Sequence, residues 1–223
     1  ARRLSEAYAL RRTLGLQRHD NTAFRLVHGE GDFLPGLVVD VYGDTAVVQA
    51  HSPGMHFMRD CIARALTRLP GAGIANVYYK SETTLPYKAR LDPQNDYIIG
   101  SYSGNVATEN GLKFHIDWLR GQKTGFFVDQ RDNRALLARL SAGRRVLNMF
   151  CYTGGFSVYA LGGGAAEVVS VDSSAKAVTL TEANVELNFP GDTRHRAVAE
   201  DAFKHLDAME RGAYDLIVLD PPA

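Results

Sequence analysis

Apolar and polar positions change rhythm twice along the 223 residues. Residues 3–14 have the mixed polarity of a helix. A β-rich stretch follows: Phe24–His28 reads as a short strand closed by the turn residues Gly29–Asp32. Leu37–Val41 and Thr45–Ala50 read as two strands joined through Tyr42-Gly43-Asp44. Met55, Met58, Ile62, Ala65, Leu66 and Leu69 then recur at helical spacing, which predicts one amphipathic helix over Pro53–Leu69 with Cys61 in or beside its core face. Ile74–Lys80 is a predicted strand, 81–96 a polar loop holding Pro86 and Pro93, and Tyr97–Gly100 a further short strand. Val106–Glu109 and Lys113–Asp117 flank Asn110-Gly111, a pair suited to a type I′ turn.

From residue 129 helices and strands alternate. Helices are predicted over Asp129–Leu140, Gly155–Leu161, Ser173–Leu187 (with Ser173 as N-cap) and Ala202–Arg211. Strands are predicted over Arg145–Asn148, Glu167–Val171, Arg194–Ala199 and Asp215–Leu219. That order is the signature of a parallel sheet wound with helices. The expected fold is therefore α/β: a linker helix in 1–20, a small α+β domain in 21–104, and a Rossmann-like domain in 105–223. Four strands bound only half of a ligand crevice, so the Rossmann-like domain is expected to be C-terminally incomplete, with the natural protein continuing past Ala223.

Composition adds exclusions. Lys plus Arg and Asp plus Glu both number 25, which argues against a strongly basic RNA-coating protein and an acidic disordered one. Five arginines against Glu6 within the first nineteen residues suit phosphate contact and a solvated helix face equally. No apolar run has the length of a membrane span and no signal peptide is visible, so a cytoplasmic protein is expected. Two cysteines, Cys61 and Cys151, are too few for a disulfide framework or a four-ligand zinc site, and no metal is expected. The oligomeric state stays open, a homodimer included.

Four strand ends carry candidate chemistry. After the first comes Asn148-Met149-Phe150-Cys151-Tyr152-Thr153-Gly154-Gly155, where a glycine pair opens a helix. Glycine admits a ligand close to the backbone and the helix start offers free N–H groups, although a tight packing turn would look the same. The second strand ends at Asp172-Ser173, 17 residues after Gly155, where a carboxylate can accept both hydroxyls of an adenosine ribose or merely cap a helix. The third leads to Glu200-Asp201-Ala202-Phe203, where an acidic side chain can face an adenine amino group and a flanking apolar residue can stack on the ring. The fourth ends at Asp220-Pro221-Pro222, a rigid N–H-free edge that can hold a flat base, or a turn after a buried strand. A further segment, Gln122–Arg134, concentrates Lys123, Phe126, Phe127, Gln130 and Arg131 around Gly125. Lys123 or Arg131 could meet a carboxylate; the alternative is core phenylalanines and a solvated helix face.

Together these segments resemble class I S-adenosylmethionine-dependent methyltransferases. More closely, they resemble the bacterial enzymes that methylate C5 of a cytosine in 23S ribosomal RNA. The resemblance rests on Lys123–Arg134, on Phe150–Phe156, on Val171-Asp172-Ser173-Ser174, on Ala183–Asn188 and on Asp220-Pro221-Pro222. Upstream, Leu34–Asp44 looks like that family's small central domain. It implies S-adenosylmethionine as cofactor and ribosomal RNA as partner. The implied cofactor residues are Lys123, Phe127, Gln130, Arg131, Asn148, Phe150, Tyr152, Thr153, Gly154, Gly155, Asp172, Ser173, Asp201 and Ala202. The target-base edge would be Asp220, Pro221 and Pro222. Two departures stand out. The family's PUA RNA-binding domain does not occur in these residues, and the cysteine nucleophile is expected past Ala223 rather than at Cys151 in the cofactor loop. Rival functions are a guanine nitrogen methyltransferase on the same sheet and a non-catalytic RNA-binding scaffold.

Overall fold

The computed structural model describes residues 1–221, and its contacts divide the chain into two compact units. The first comprises Ala1–Gly111 and Ile116–Val128, the second Leu112–His115 and the residues from Asp129 onward. Sequence rhythm alone put residues 105–128 with the second domain; most of them group with the first. Asn110 and Gly111, at the division, both have positive φ, as a type I′ turn requires.

The first unit is built on a sheet in the order β1 (Ala23–His28), β2 (Leu37–Tyr42), β3 (Thr45–Ala50), β4 (Asn76–Tyr79), β5 (Asp96–Ile99). Only β3 and β4 run parallel, and that pairing needs a crossover, which the helical segment between them supplies. The segment is two helices, α2 (Pro53–Phe57) and α3 (Arg59–Thr67), not the single helix predicted. Met58 lies between them at φ −90° and ψ 0°, exposed, so the buried face is carried by Ile62, Ala63 and Leu66 of α3. Cys61 is exposed. Helix α1 (Arg2–Thr13) is more than a linker: Leu4, Ala7 and Tyr8 enter the same core as Phe24, Leu26, Val39, Val48 and Leu66. Its Arg11 is buried as well, paired through both terminal nitrogens with Asp32 and donating from Nε to the Arg25 carbonyl.

Two more short strands, β6 (Val106–Glu109) and β7 (Leu112–His115), lie on either side of the Asn110-Gly111 turn. The second unit then continues with α4 (Arg131–Leu140), β8 (Arg145–Met149), α5 (Gly155–Gly162), β9 (Glu167–Asp172), α6 (Ala175–Asn188), β10 (His195–Ala199), α7 (Ala202–Ala208) and β11 (Leu216–Leu219). All four main strands are parallel, in the order β10-β9-β8-β11. Alternate residues serve opposite faces. Leu147, Met149, Val169 and Val171 cluster with Ala202 of α7, while Asn148 and Ser170 meet Ser157 of α5. The chain winds outward from β8 through β9 to β10 and then returns to the other side of β8 with β11. In open α/β sheets, such a reversal of strand order opens a crevice at the carboxyl ends of the strands.

Candidate functional site

As far as the described residues reach, the four sequence-predicted strand-end segments lie at that carboxyl edge. Strand β8 runs into a loop with left-handed backbone at Phe150 (φ 55°), Tyr152 (φ 48°) and Gly154 (φ 74°). Bulky residues rarely accept that conformation, and such strain is held by surrounding contacts. The contacts are specific. Cys151 N–H donates to the Val171 carbonyl at 3.0 Å and Gly154 N–H to the Cys151 carbonyl at 2.8 Å. A Cβ on Gly154 would lie 2.5 Å from Thr181 Cγ2, and one on Gly155 would lie 3.1 Å from Arg134 Cδ. Gly154 is therefore required by close packing as well as by the turn, whereas a side chain at Gly155 would press on the Arg134 side chain.

Asp172 ends β9 beside this loop. Its Oδ2 accepts Tyr152 N–H and its Oδ1 accepts Ser174 N–H, each at 2.9 Å. A carboxylate has about four acceptor sites, so both oxygens keep capacity for a diol. Asp172 is not the helix cap. Nor is Ser173, which is exposed: Ser174 caps α6 by accepting Ala177 N–H. Asp172 Oδ1 takes the Ser174 N–H, and Ser174 itself is extended (φ −89°, ψ 111°), so α6 opens one residue later than predicted.

Asp201 does cap α7. Its Oδ1 accepts Phe203 and Lys204 N–H at 3.0 and 3.1 Å. Ala202 is buried against the sheet and the Phe203 side chain is 73% exposed, free to present a ring face. Asp220, at the end of β11, accepts from Gln130 Nε2 at 3.3 Å, and Gln130 Oε1 accepts from Asn133 at 2.7 Å. Two segments 90 residues apart thus meet across the order reversal. Arg131 begins α4 next to Gln130; Pro221 follows Asp220, and Pro222 lies outside the described residues.

One predicted contact residue, Asn148, lies in the interior of the second unit. Asn148 is 1% exposed, and its amide donates to Ser157 Oγ at 2.8 Å. That hydroxyl meets Ser170 Oγ at 2.6 Å, which meets His195 Nε2 at 2.8 Å. Asn148 belongs to this interior chain, and a direct ligand contact does not fit its position. Lys123 and Phe127 lie in the first unit, where the Lys123 ammonium stands 4.8 Å from the Phe127 ring centroid.

Cys151 is buried, its sulfur 3.6 Å from Thr181 Oγ1, and burial pushes its thiol pKa up to about 12. Such a thiol is protonated at neutral pH and is no nucleophile. Among the described residues, no group of three or more His, Cys, Asp or Glu is placed to hold a metal ion, and no helix is long and apolar enough to cross a membrane.

The arrangement suits an adenosine: a carboxylate with free acceptor capacity at one strand end, a second acid and an exposed ring at the next, and a glycine turn between sheet and helix. Residues 24–223 match the family model described as S-adenosylmethionine-dependent methyltransferase. The chain belongs to this family. S-adenosylmethionine is accordingly its cofactor, and the strand-end donors and acceptors fit that group. Relatives named ribosomal RNA large subunit methyltransferase I include those of Tolumonas auensis, 42% identical over 99% of this chain and 56% of that protein, and Aeromonas hydrophila, 43% identical with the same coverage. The chain therefore spans little more than half the length of these relatives. Among solved structures, a Streptococcus mutans protein put forward as a SAM-dependent methyltransferase superposes with a TM-score of 0.85 at 28% identity, covering 99% of this chain and 57% of that one. SMU.776, solved in complex with SAH, superposes at 0.83 with 28% identity, covering 98% and 57%.

Sequence reasoning missed Thr181 and Asn184 of α6, both fully buried against the loop. Their signal was present: two weak helix formers in the middle of a helix, one in the Ala183–Asn188 segment.

Proposed function

We propose that this chain is the cofactor-binding part of a ribosomal RNA methyltransferase that transfers a methyl group to C5 of a cytosine in 23S RNA. The observation that carries the reading is Asp172, fixed by two backbone N–H groups beside a strained glycine loop and still able to accept two hydroxyls. The names of relatives at 42 and 43% identity support RNA as the acceptor.

In this reading Asp172 takes the ribose hydroxyls, Asp201 the adenine amino group and Phe203 a face of the adenine. The first N–H groups of α5 and the Phe150–Gly155 loop line the remainder. S-adenosylmethionine supplies an electrophilic sulfonium methyl. Asp220, steadied by Gln130, and Pro221 form the edge against which the flipped base lies; bringing the base out of its stack costs a few kcal/mol, roughly. Alignment of methyl and acceptor is the chief contribution expected of the protein. Cytosine C5 also needs a thiolate adding to C6, which leaves by elimination once the methyl is in place and a base has taken the C5 proton. Cys151 is too deeply buried and too weakly acidic for that task, so the thiolate must be another cysteine.

The same observation favours a second reading, transfer to a guanine nitrogen, which needs no thiolate. The test is to incubate the complete gene product with unmodified 23S RNA and tritiated S-adenosylmethionine, then digest the RNA to nucleosides. Labelled 5-methylcytosine supports the first reading, an N-methylguanine replaces it with the second, and SAH binding without transfer leaves a scaffold.

A further inference from the structure

Two bulky left-handed residues, Phe150 and Tyr152, within three positions do not hold their shape unaided. The carbonyls of the Phe150–Gly154 loop must also find donors away from the sheet, and two of them find side chains of α6. Thr181 Oγ1 donates to the Tyr152 carbonyl at 3.0 Å, and Asn184 Nδ2 donates to the Thr153 carbonyl at 2.8 Å. A threonine inside a helix ordinarily returns its hydroxyl to the carbonyl one turn back. Thr181 spends its own on the loop instead, with its methyl packed where a Gly154 Cβ would be.

Asn184 works in both directions. While its amide nitrogen holds Thr153, its Oδ1 accepts His115 N–H of β7 at 2.7 Å. One turn on, Asn188 exchanges a pair of bonds with the Lys113 backbone, at 2.8 and 2.7 Å. Thr181, Asn184 and Asn188 fall at i, i+3 and i+7, a single helix face. That face carries the cofactor loop at one end and β7 at the other.

We infer that Thr181 and Asn184 are positioning residues for the cofactor: they fix the carbonyls of Tyr152 and Thr153 and so keep the loop in the shape that receives the adenosine. The inference rests on the reading of Asp172 and the loop as the cofactor site. It adds two residues that touch the loop rather than the ligand, and it ties the loop to β7 through one amide.

The test uses the complete gene product and S-adenosylhomocysteine, with affinity measured by calorimetry and fold checked by circular dichroism. Thr181→Val keeps the shape and removes the donor; Thr181→Ser keeps the donor. Asn184→Asp keeps the acceptor for His115 and replaces the donor to Thr153. Thr181→Val should weaken binding about three- to tenfold, the worth of one hydrogen bond, Asn184→Asp by at least as much because a buried carboxylate then faces the Thr153 carbonyl, and Thr181→Ser by less than about twofold. In turnover, KM for S-adenosylmethionine should rise with kcat unchanged, the mark of lost binding rather than lost chemistry. Folded variants that all bind like the parent would overturn the inference. So would a Thr181→Ser as weak as Thr181→Val, which would assign the effect to packing. If Asn184→Asp does not fold, the Thr181 pair decides. A parent protein that binds no S-adenosylhomocysteine removes the cofactor reading itself, and this inference with it.

Discussion

The hydroxyl of Thr124 donates to the fully buried carboxylate of Asp40 at 2.6 Å. Asp40 also takes two bonds from Arg25, at 2.8 and 2.9 Å, and the Tyr42 hydroxyl lies 2.9 Å from Thr124 Oγ1 and 3.2 Å from the Phe126 carbonyl. Strand β2 of the first unit thus grips the Lys123–Phe127 segment from inside. Gly125 completes the grip, since a Cβ there would lie 2.8 Å from the backbone of Asp117 and Trp118. Thr124→Val deprives a buried carboxylate of one donor and should cost about 1.5–3 kcal/mol, whereas Thr124→Ser should cost far less. Urea unfolding of the two variants checks this; equal midpoints would remove the bond from the account.

Loss of the Asp172 carboxylate should reduce affinity for S-adenosylhomocysteine roughly tenfold to a hundredfold, equivalent to about 1.5–3 kcal/mol. Because Asp172 also anchors Tyr152 and Ser174 N–H, Asp172→Ala should disturb the loop as well. Asp172→Asn retains one carbonyl acceptor and should fall between. Calorimetry orders the three proteins, and an alanine variant that binds as tightly as the parent rejects the assignment.

Cys61 and Cys151 should separate cleanly by reactivity. Cys61 is exposed, and the Cys151 thiol is buried with its pKa pushed up to about 12. Iodoacetamide at pH 8 should label the peptide containing Cys61 and spare the one containing Cys151 until the protein is unfolded, as peptide mass mapping would report. Cys151→Ser should retain methyl transfer; its complete loss with cofactor binding intact would make Cys151 the nucleophile after all.

Acid should weaken the second unit earlier than carboxylate protonation requires. Burial lowers the pKa of His195 to about 4, from an ordinary 6.5, and its ring meets Ser170 Oγ. Below pH 6.5 the unfolded chain takes up a proton that the folded one refuses. Stability from this group is therefore complete above pH 6.5 and falls as pH drops from 6.5 toward 4, by up to about 3 kcal/mol. Urea midpoints across that window should slope downward, and His195→Gln should flatten the slope. A parallel slope in the variant would place the titration elsewhere.

The alternating rhythm after residue 129 made the parallel sheet legible, because four apolar strands separated by helices admit few arrangements. Acids at strand ends were legible for the same reason: Asp172, Asp201 and Asp220 each stand where a strand must stop. What escaped depends on bonds between distant positions. Nothing local distinguishes Ser173 from Ser174 as a cap; the decision lies with Asp172. Nothing in Leu34–Asp44 says that Asp40 will hold Thr124, so 116–128 read as an opening of the second domain. The smooth helical spacing across Met58 likewise hid a break, since the pattern records which residues are apolar and not which of them find cover.

The cofactor loop keeps its form by leaning on α6, 29 residues downstream in the bond from Thr181 to Tyr152. Its shape is thus not a property of its own six letters. An engineer who transplanted Phe150–Gly155 onto another scaffold would carry the spelling and lose the conformation, unless a threonine and an asparagine came along on a helix at the matching height. The heritable module here is loop plus helix, and exchange between relatives should succeed or fail at that pairing.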